Sequence, residues 1–175
     1  MNNSLAIIPV TGIGEIEPGD DLASIIAEAT QQTGNDLQDG DVLVVTQKVV
    51  SKAEDRLVDV DPEVGHKPLV ERESVRILRR RGDLIVSETE HGFVCANAGI
   101  DLSNVETGRA ALLPVDSDRS ARRIRDALTH RFDVDVAVVV ARELEDLVAA
   151  GMAPRQPDGG HRRLGAGVDH AHRLD

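Results

Sequence analysis

The chain has 175 residues, 41% of them apolar and 29% charged, enough for one domain of ordinary size with a buried core. Twenty basic against 31 acidic residues give a net charge of −11, which weighs against binding to nucleic-acid backbone. No apolar run approaches the roughly 20 residues of a membrane span, Met1-Asn2-Asn3-Ser4 lacks the charge and apolar run of a leader, and the single Cys95 excludes an intramolecular disulfide. A cytoplasmic protein with neither membrane nor nucleic acid among its partners is expected.

Leu5 to Val10 predicts a first strand, closed by the turn-prone Thr11-Gly12-Ile13-Gly14. Pro18-Gly19-Asp20-Asp21 predicts the cap of a helix whose Leu22, Ile25, Ile26 and Ala29 form one apolar stripe. Val42-Leu43-Val44-Val45-Thr46 reads as a strand buried on both faces, which Val49-Val50-Ser51-Lys52 continues or follows. Asp59 to Pro68 reads as loop, and Leu69 to Arg81 as a helix stopped by Gly82. Leu84-Ile85-Val86 and Phe93 to Ala96 predict a strand pair around Glu90-His91-Gly92. Asp116 or Ser117 caps another helix with Ala121, Ile124, Leu128 and Phe132 inward, and Val134 to Val140 is the last strand. Strict βαβ alternation is missing, so the expected fold class is α/β, a mixed sheet with flanking helices.

Common motifs fail. Gly12-x-Gly14 lacks a third glycine at dinucleotide spacing, Gly34 to Asp41 lacks the Lys-Ser/Thr of a phosphate loop, and Asp101 to Val105 departs from a calcium loop at its fifth position.

Three patches remain. Pro9 to Ile16 is a glycine-bearing loop off a strand, able to bring backbone amides close to a ligand or simply to turn into a helix. Val45 to Lys52 holds two of the three lysines, Lys48 and Lys52, beside hydroxyls, which suits phosphate oxygens or a charge-protected sheet edge. His91 to Asn104 crowds small residues around Asn97, Asp101, Ser103 and Asn104, hard oxygen donors suited to Mg²⁺ or Mn²⁺ or to an Asx-capped turn. His91 reads as a hydrogen-bonded turn residue, Cys95 as a packed thiol, and Arg119, Arg122, Arg123 and Arg125 as a solvated helix face.

Together the patches resemble the coenzyme F420-0:L-glutamate ligase family, the F420 gamma-glutamyl ligases. The resemblance rests on Pro9-Val10-x-Gly12-Ile13, Gly19-Asp20-Asp21-Leu22, Asp39 to Thr46, Val50-Ser51-Lys52-Ala53-Glu54, His91 to Asn104, and Leu112 to Ala121. It implies GTP-dependent amide ligation: GTP phosphorylates the terminal carboxylate of the lactyl phosphodiester F420-0, and the amine of L-glutamate attacks the acyl phosphate, with a γ-linked second glutamate able to follow. It further implies Ile13, Gly14, Glu15, Ile16, Gln47, Lys52 and Asn104 at the nucleotide, with Gln47 where the family usually has Ser. Asp101 is the implied ligand of Mg²⁺ or Mn²⁺, K⁺ a further cation, and the homodimer the implied assembly.

After Val140 the family's Asp-Thr-aromatic-Gly-Arg-x-Trp-Arg segment is replaced by Ala141-Arg142-Glu143-Leu144. The expected organisation is therefore an incomplete ligase-like domain over 1–140 and a divergent tail over 141–175, a short helix and then disordered text. Residues 1–140 carry 15 basic and 25 acidic side chains and 141–175 carry 5 and 6, so the composition shifts there. Codon degeneracy lets Asp146-Leu147-Val148 be encoded so that the next frame reads Thr-Trp-Ser, and Met152 to Asp158 so that it reads Trp-Arg-His-Gly-Ser-Gln-Thr, which makes a shifted reading frame the expected origin of the tail. A catalytically incomplete, non-enzymatic fragment that binds nucleotide and metal is the alternative function, with completion by a second polypeptide as a third.

The acidity has its own pattern: 19 Asp to 12 Glu and 17 Arg to 3 Lys. Adaptation to high salt and a GC-rich genome each account for it.

Overall fold

The computed structural model describes residues 5–102 and 108–141. The first helix, α1 (Leu22–Gln32), begins where Asp21 accepts amide hydrogens from Ala23 and Ser24, and it buries Leu22, Ala23, Ile26, Ala27 and Ala29. The capping aspartate and the stripe are those the sequence predicts. Strand β1 (Val42–Thr46) runs directly into α2 (Gln47–Ala53), so Val49 to Lys52 follow the strand as a helix rather than extend it. Its burial alternates, Leu43 and Val45 inward and Val42 out, so β1 is covered on one face instead of the expected two.

Next come β2 (Leu57–Asp59), α3 (Lys67–Arg72), β3 (Ser74–Arg81), β4 (Leu84–Thr89) and β5 (Val94–Ala96). A tight turn over Asn97–Gly99 leads to β6 (Arg109–Ala111), α4 (Ser117–Phe132) and β7 (Ala137–Ala141). The mixed α/β expectation holds, with the strands divided among three small sheets: β1 parallel to β7, β2 antiparallel to β6, and the antiparallel β3-β4-β5.

Two predicted elements are replaced. Leu5 to Val10 is no strand; Leu5, Ile7 and Ile8 are exposed, and without a paired neighbour β-branched residues gain nothing from an extended backbone. The helix expected over Leu69 to Arg81 stops at Arg72. Ser74 Oγ donates to Val70 O and accepts from Ser87 Oγ, and the chain turns into β3, whose Arg81 pairs with Leu84 across Gly82-Asp83. Gly82, at φ +60°, is thus a hairpin turn and not a helix stop. Arg76 and Arg80 hold Glu88 and Glu71 across this surface at 2.9 and 2.7 Å; exposed arginines there serve a strand as well as they would a helix.

The main core packs α1 and α4 against β1 and β7 through Leu22, Ile26, Leu43, Val45, Val50, Ile124, Leu128 and Val136. A smaller one, Val70, Ile85 and Ala98, underlies the hairpins. Asp116 caps α4 by accepting from the Arg119 amide at 2.8 Å, with Ile124 and Leu128 inward as expected and Phe132 at the core's margin. No helix among the described residues is long and apolar enough to cross a membrane. The expected tail elements from Arg142 onward lie outside the described residues.

Candidate functional site

Helix α2 is the hub. Val50, Ser51 and Ala53 are buried, and Ser51 Oγ donates to Leu112 O at 2.7 Å, fixing the rotation of the helix about its axis. With that face inward, Lys48 and Lys52, four residues apart, share the opposite side. Lys48 Nζ lies 2.9 Å from Asp101 Oδ2, while Lys52 Nζ pairs with Glu15. The Lys52 side chain keeps only 12% of its exposure while Glu15 keeps 76%, so the lysine is sheltered beneath the loop carboxylate.

That loop is anchored by Ile16, which joins the main core, while Gly14 and Glu15 remain at the surface. Asp101 is held at its backbone, exchanging amide–carbonyl hydrogen bonds of 2.9 and 2.8 Å with Ala111. Just before it, Asn97, Ala98 and Gly99 take φ of 48°, 52° and 73°, a run of left-handed residues costing of order 1–2 kcal/mol at the alanine. The turn is fixed by packing: Ala98 is buried, and a Cβ on Gly99 would stand 2.8 Å from Leu113 Cδ2.

The three sequence patches therefore meet. Glu15, Lys48, Lys52 and Asp101 lie along one side of α2; Ile13 and Gly14 flank Glu15; Gln47 is buried at the first turn of the helix. Asn104 lies outside the described residues. Asn97, grouped with the oxygen donors in the sequence, has its Oδ1 taken by the Ile85 amide at 2.9 Å, so it pins β4 rather than facing a ligand. His91 accounts for one nitrogen as a turn residue should, its Nε2 lying 3.1 Å from Val115 O; against that carbonyl the nitrogen must carry the proton. Cys95 is half-buried.

Among the described residues no three His, Cys, Asp or Glu side chains form a metal-binding group. Two carboxylates, Glu15 and Asp101, beside two lysines suit a divalent ion held jointly with phosphate oxygens, since Mg²⁺ commonly takes one or two carboxylates and completes its shell from substrate and water.

A cleft that the sequence reading did not anticipate opens beside the C-terminal end of α2, with a volume of about 460 Å³ and walls from the Gly19-Asp20 turn, Glu54 and the first turns of α4. Glu54 accepts from Ser120 Oγ and, at 3.2 Å, from the Val115 amide. Arg119 and Arg123 line it, one helical turn apart. The available signal was their i, i+4 spacing, which also suits an ordinary solvated face.

The class defined by this fold and site is a mixed α/β protein whose cations and carboxylates converge on one helix face. A family-wide profile described as F420-0:Gamma-glutamyl ligase matches residues 12–159. The chain belongs to that family. It is 40% identical over 176 aligned positions to the coenzyme F420:L-glutamate ligase of Methanothermobacter thermautotrophicus, covering 87% of this chain and 70% of that protein. The ligase of the same name from Methanopyrus kandleri is 40% identical over 153 positions (78% and 59%), and that of Archaeoglobus fulgidus 36% over 150 (77% and 58%). The chain thus spans between 58% and 70% of the length of these relatives. The profile match continues past Val140 into residues outside those described.

Proposed function

We propose that this chain is a GTP-dependent ligase that joins L-glutamate to coenzyme F420-0. The observation that carries the proposal is the gathering of Glu15, Lys48, Lys52 and Asp101, from three separate segments, on one side of α2. A γ-phosphoryl group in transfer spreads negative charge over its oxygens, and the lysine ammonium groups gathered at this face can stabilise that charge. A carboxylate oxygen of F420-0 takes the phosphoryl group from GTP, releasing GDP. The amine of glutamate then attacks the acyl carbon, inorganic phosphate leaves with the former carboxylate oxygen, and the amine loses a proton.

Lys52 binds phosphate oxygens once Glu15 gives way, and Asp101 is the residue for Mg²⁺ or Mn²⁺, which supplies charge neutralisation when bound. The mobile partner is the exposed Glu15, because a lysine drawn from a surface carboxylate to a phosphate keeps a full counter-charge. Ile13, Gly14, Ile16, Gln47 and Asn104 complete the nucleotide contacts, K⁺ assists, and the working protein is a cytoplasmic homodimer.

The test is incubation with GTP, F420-0, L-glutamate, Mn²⁺ and K⁺, following GDP and the mass of the coenzyme. Each GDP formed should accompany a gain of one glutamyl residue; no GTP consumption in the presence of all components contradicts the reading. A second reading, binding of nucleotide and metal without turnover, draws on Ala141-Arg142-Glu143-Leu144 standing where the family resemblance implies an Asp-Thr pair. It predicts saturable GTP binding and no GDP.

A further inference from the structure

The cleft between α2 and α4 is separate from the Lys48–Lys52 side of the hub, and its charges are arranged differently. Arg119 and Arg123 face it without a hydrogen bond or ion pair from either guanidinium to another described residue. Of the other described cations, Lys48, Lys52, Arg56, Lys67, Arg72, Arg76, Arg80, Arg109 and Arg125 hold carboxylates, while Arg79, Arg81, Arg122 and Arg131 do not. What sets these two guanidiniums apart is that they line one cleft together, one helical turn apart, with acidic side chains on the same walls, and Arg123 also lies near enough to Asp21 to lower the pKa of its carboxyl.

Those acids are committed elsewhere. Asp116 caps α4, Asp20 Oδ2 accepts the Glu17 amide at 2.8 Å, and Glu54 is oriented by Ser120 and by the Val115 amide. Both Glu54 oxygens accept one hydrogen bond each, and an ionised carboxylate has room for more. The lining therefore offers two forked cations, each able to take a carboxylate bidentately, and one oriented anion able to take an ammonium. The volume, about 460 Å³, is in the range of small-molecule sites.

We propose that this cleft is the binding site for an α-amino dicarboxylate, with its carboxylates on Arg119 and Arg123 and its ammonium on Glu54. The assignment rests on the ligase reading above for the choice of L-glutamate within that class. It also has a geometric logic: Glu54 is two residues beyond Lys52 and Gly19 donates its amide to Ala53 O at 2.9 Å, so the amine would be held next to the end of α2 that carries Lys52. Glu54 would hold that amine as ammonium until one of its protons passes to solvent and frees the nitrogen to attack, the second proton leaving as the amide forms.

The experiment is calorimetric titration of the full chain with L-glutamate, 2-oxoglutarate and inorganic phosphate, each with and without GTP and Mn²⁺. Wild type should bind L-glutamate saturably, and 2-oxoglutarate, which lacks the ammonium, at least tenfold more weakly. The double variant Arg119→Gln/Arg123→Gln, altered only at exposed positions, should lose at least tenfold in glutamate affinity while its GTP affinity is unchanged. Glu54→Gln should erase the preference for glutamate over 2-oxoglutarate; circular dichroism reports whether it folds, and the arginine pair carries the test if it does not. Absence of saturable glutamate binding to wild type, an unaltered affinity in the double variant, or phosphate binding as tightly as glutamate would each overturn the proposal. Glutamate binding without any GTP binding would sink the ligase reading and leave this site standing.

Discussion

Lys52 is the residue on which the proposed chemistry turns. It is nearly enclosed, paired with a carboxylate that is itself exposed, so its charge is retained close to the surface without a fixed geometry to break. Replacing it with alanine should weaken GTP–Mn²⁺ binding by about 1.5–3 kcal/mol, the worth of a hydrogen bond to a charged group, with the thermal midpoint little changed; equal GTP affinity in the variant would remove Lys52 from the site. Asp21 makes a different kind of prediction. The Ser24 hydroxyl above all, helped by the Ser24 and Ala23 amides and the Arg123 charge, holds its carboxyl below the ordinary 3.8 against the opposing effect of desolvation. The stabilisation is therefore complete above the unfolded value of 3.8 and is lost as pH falls through the lower folded value. Asp21→Ala should cost about 0.5–2 kcal/mol at neutral pH, and its difference from wild type in urea unfolding should shrink below that range. A gap that stays constant into acid contradicts the cap. Both Asp21 and Lys52 were legible in the sequence, one from capping chemistry and one from its place in a family motif. Lys48 as the partner of Asp101 was not, since 53 positions separate them and only the fold brings them within 2.9 Å.

At the scale of elements, the readable ones are those whose signals are local. The α1 stripe, the Asp116 cap of α4 and the turn between β4 and β5 each combine periodicity with a cap or turn residue, and each stands where expected. Leu69 to Arg81 carries a helical start but owes its second half to pairing with β4, a nonlocal contact that periodicity cannot report. Leu5 to Val10 fails for the converse reason: it has strand composition and no strand beside it among the described residues. The seating of α2 decides whether the lysines face Asp101 and Glu15, and Ser51 is what sets it. Ser51→Ala leaves the buried Leu112 carbonyl without its hydroxyl donor, and should destabilise the fold by about 1–3 kcal/mol in urea titration. Gly99→Ala should be worse tolerated than an exposed Gly→Ala change such as Gly14→Ala, because it meets Leu113 as well as a left-handed backbone; equal unfolding midpoints would show that the turn adapts.

The described residues hold two apolar cores, the larger of them drawing Val50 and Ala53 from α2, and the chain as a whole is strongly acidic. If the Asp and Arg bias reflects adaptation to high salt, molar KCl should raise the thermal midpoint by screening self-repulsion; a midpoint unmoved or lowered by KCl leaves base composition as its cause. The family was legible because its motifs survive in order along the chain, and the fold brings parts of those motifs together on one side of α2. The cleft of Glu54, Arg119 and Arg123 was not, because its cations resemble any exposed helical arginine until the fold surrounds them. The central claim is that Lys52 and Asp101, distant in sequence, form one nucleotide–metal site from which Glu15 withdraws when nucleotide binds. The most direct measurement is calorimetric titration of GTP into wild type, Lys52→Ala and Asp101→Ala, each with and without Mn²⁺. Mn²⁺ should tighten binding to wild type and to Lys52→Ala, though to the latter from a weaker start, and have no effect on Asp101→Ala. Identical GTP affinity in all three proteins, or a Mn²⁺ effect undiminished in Asp101→Ala, would contradict it.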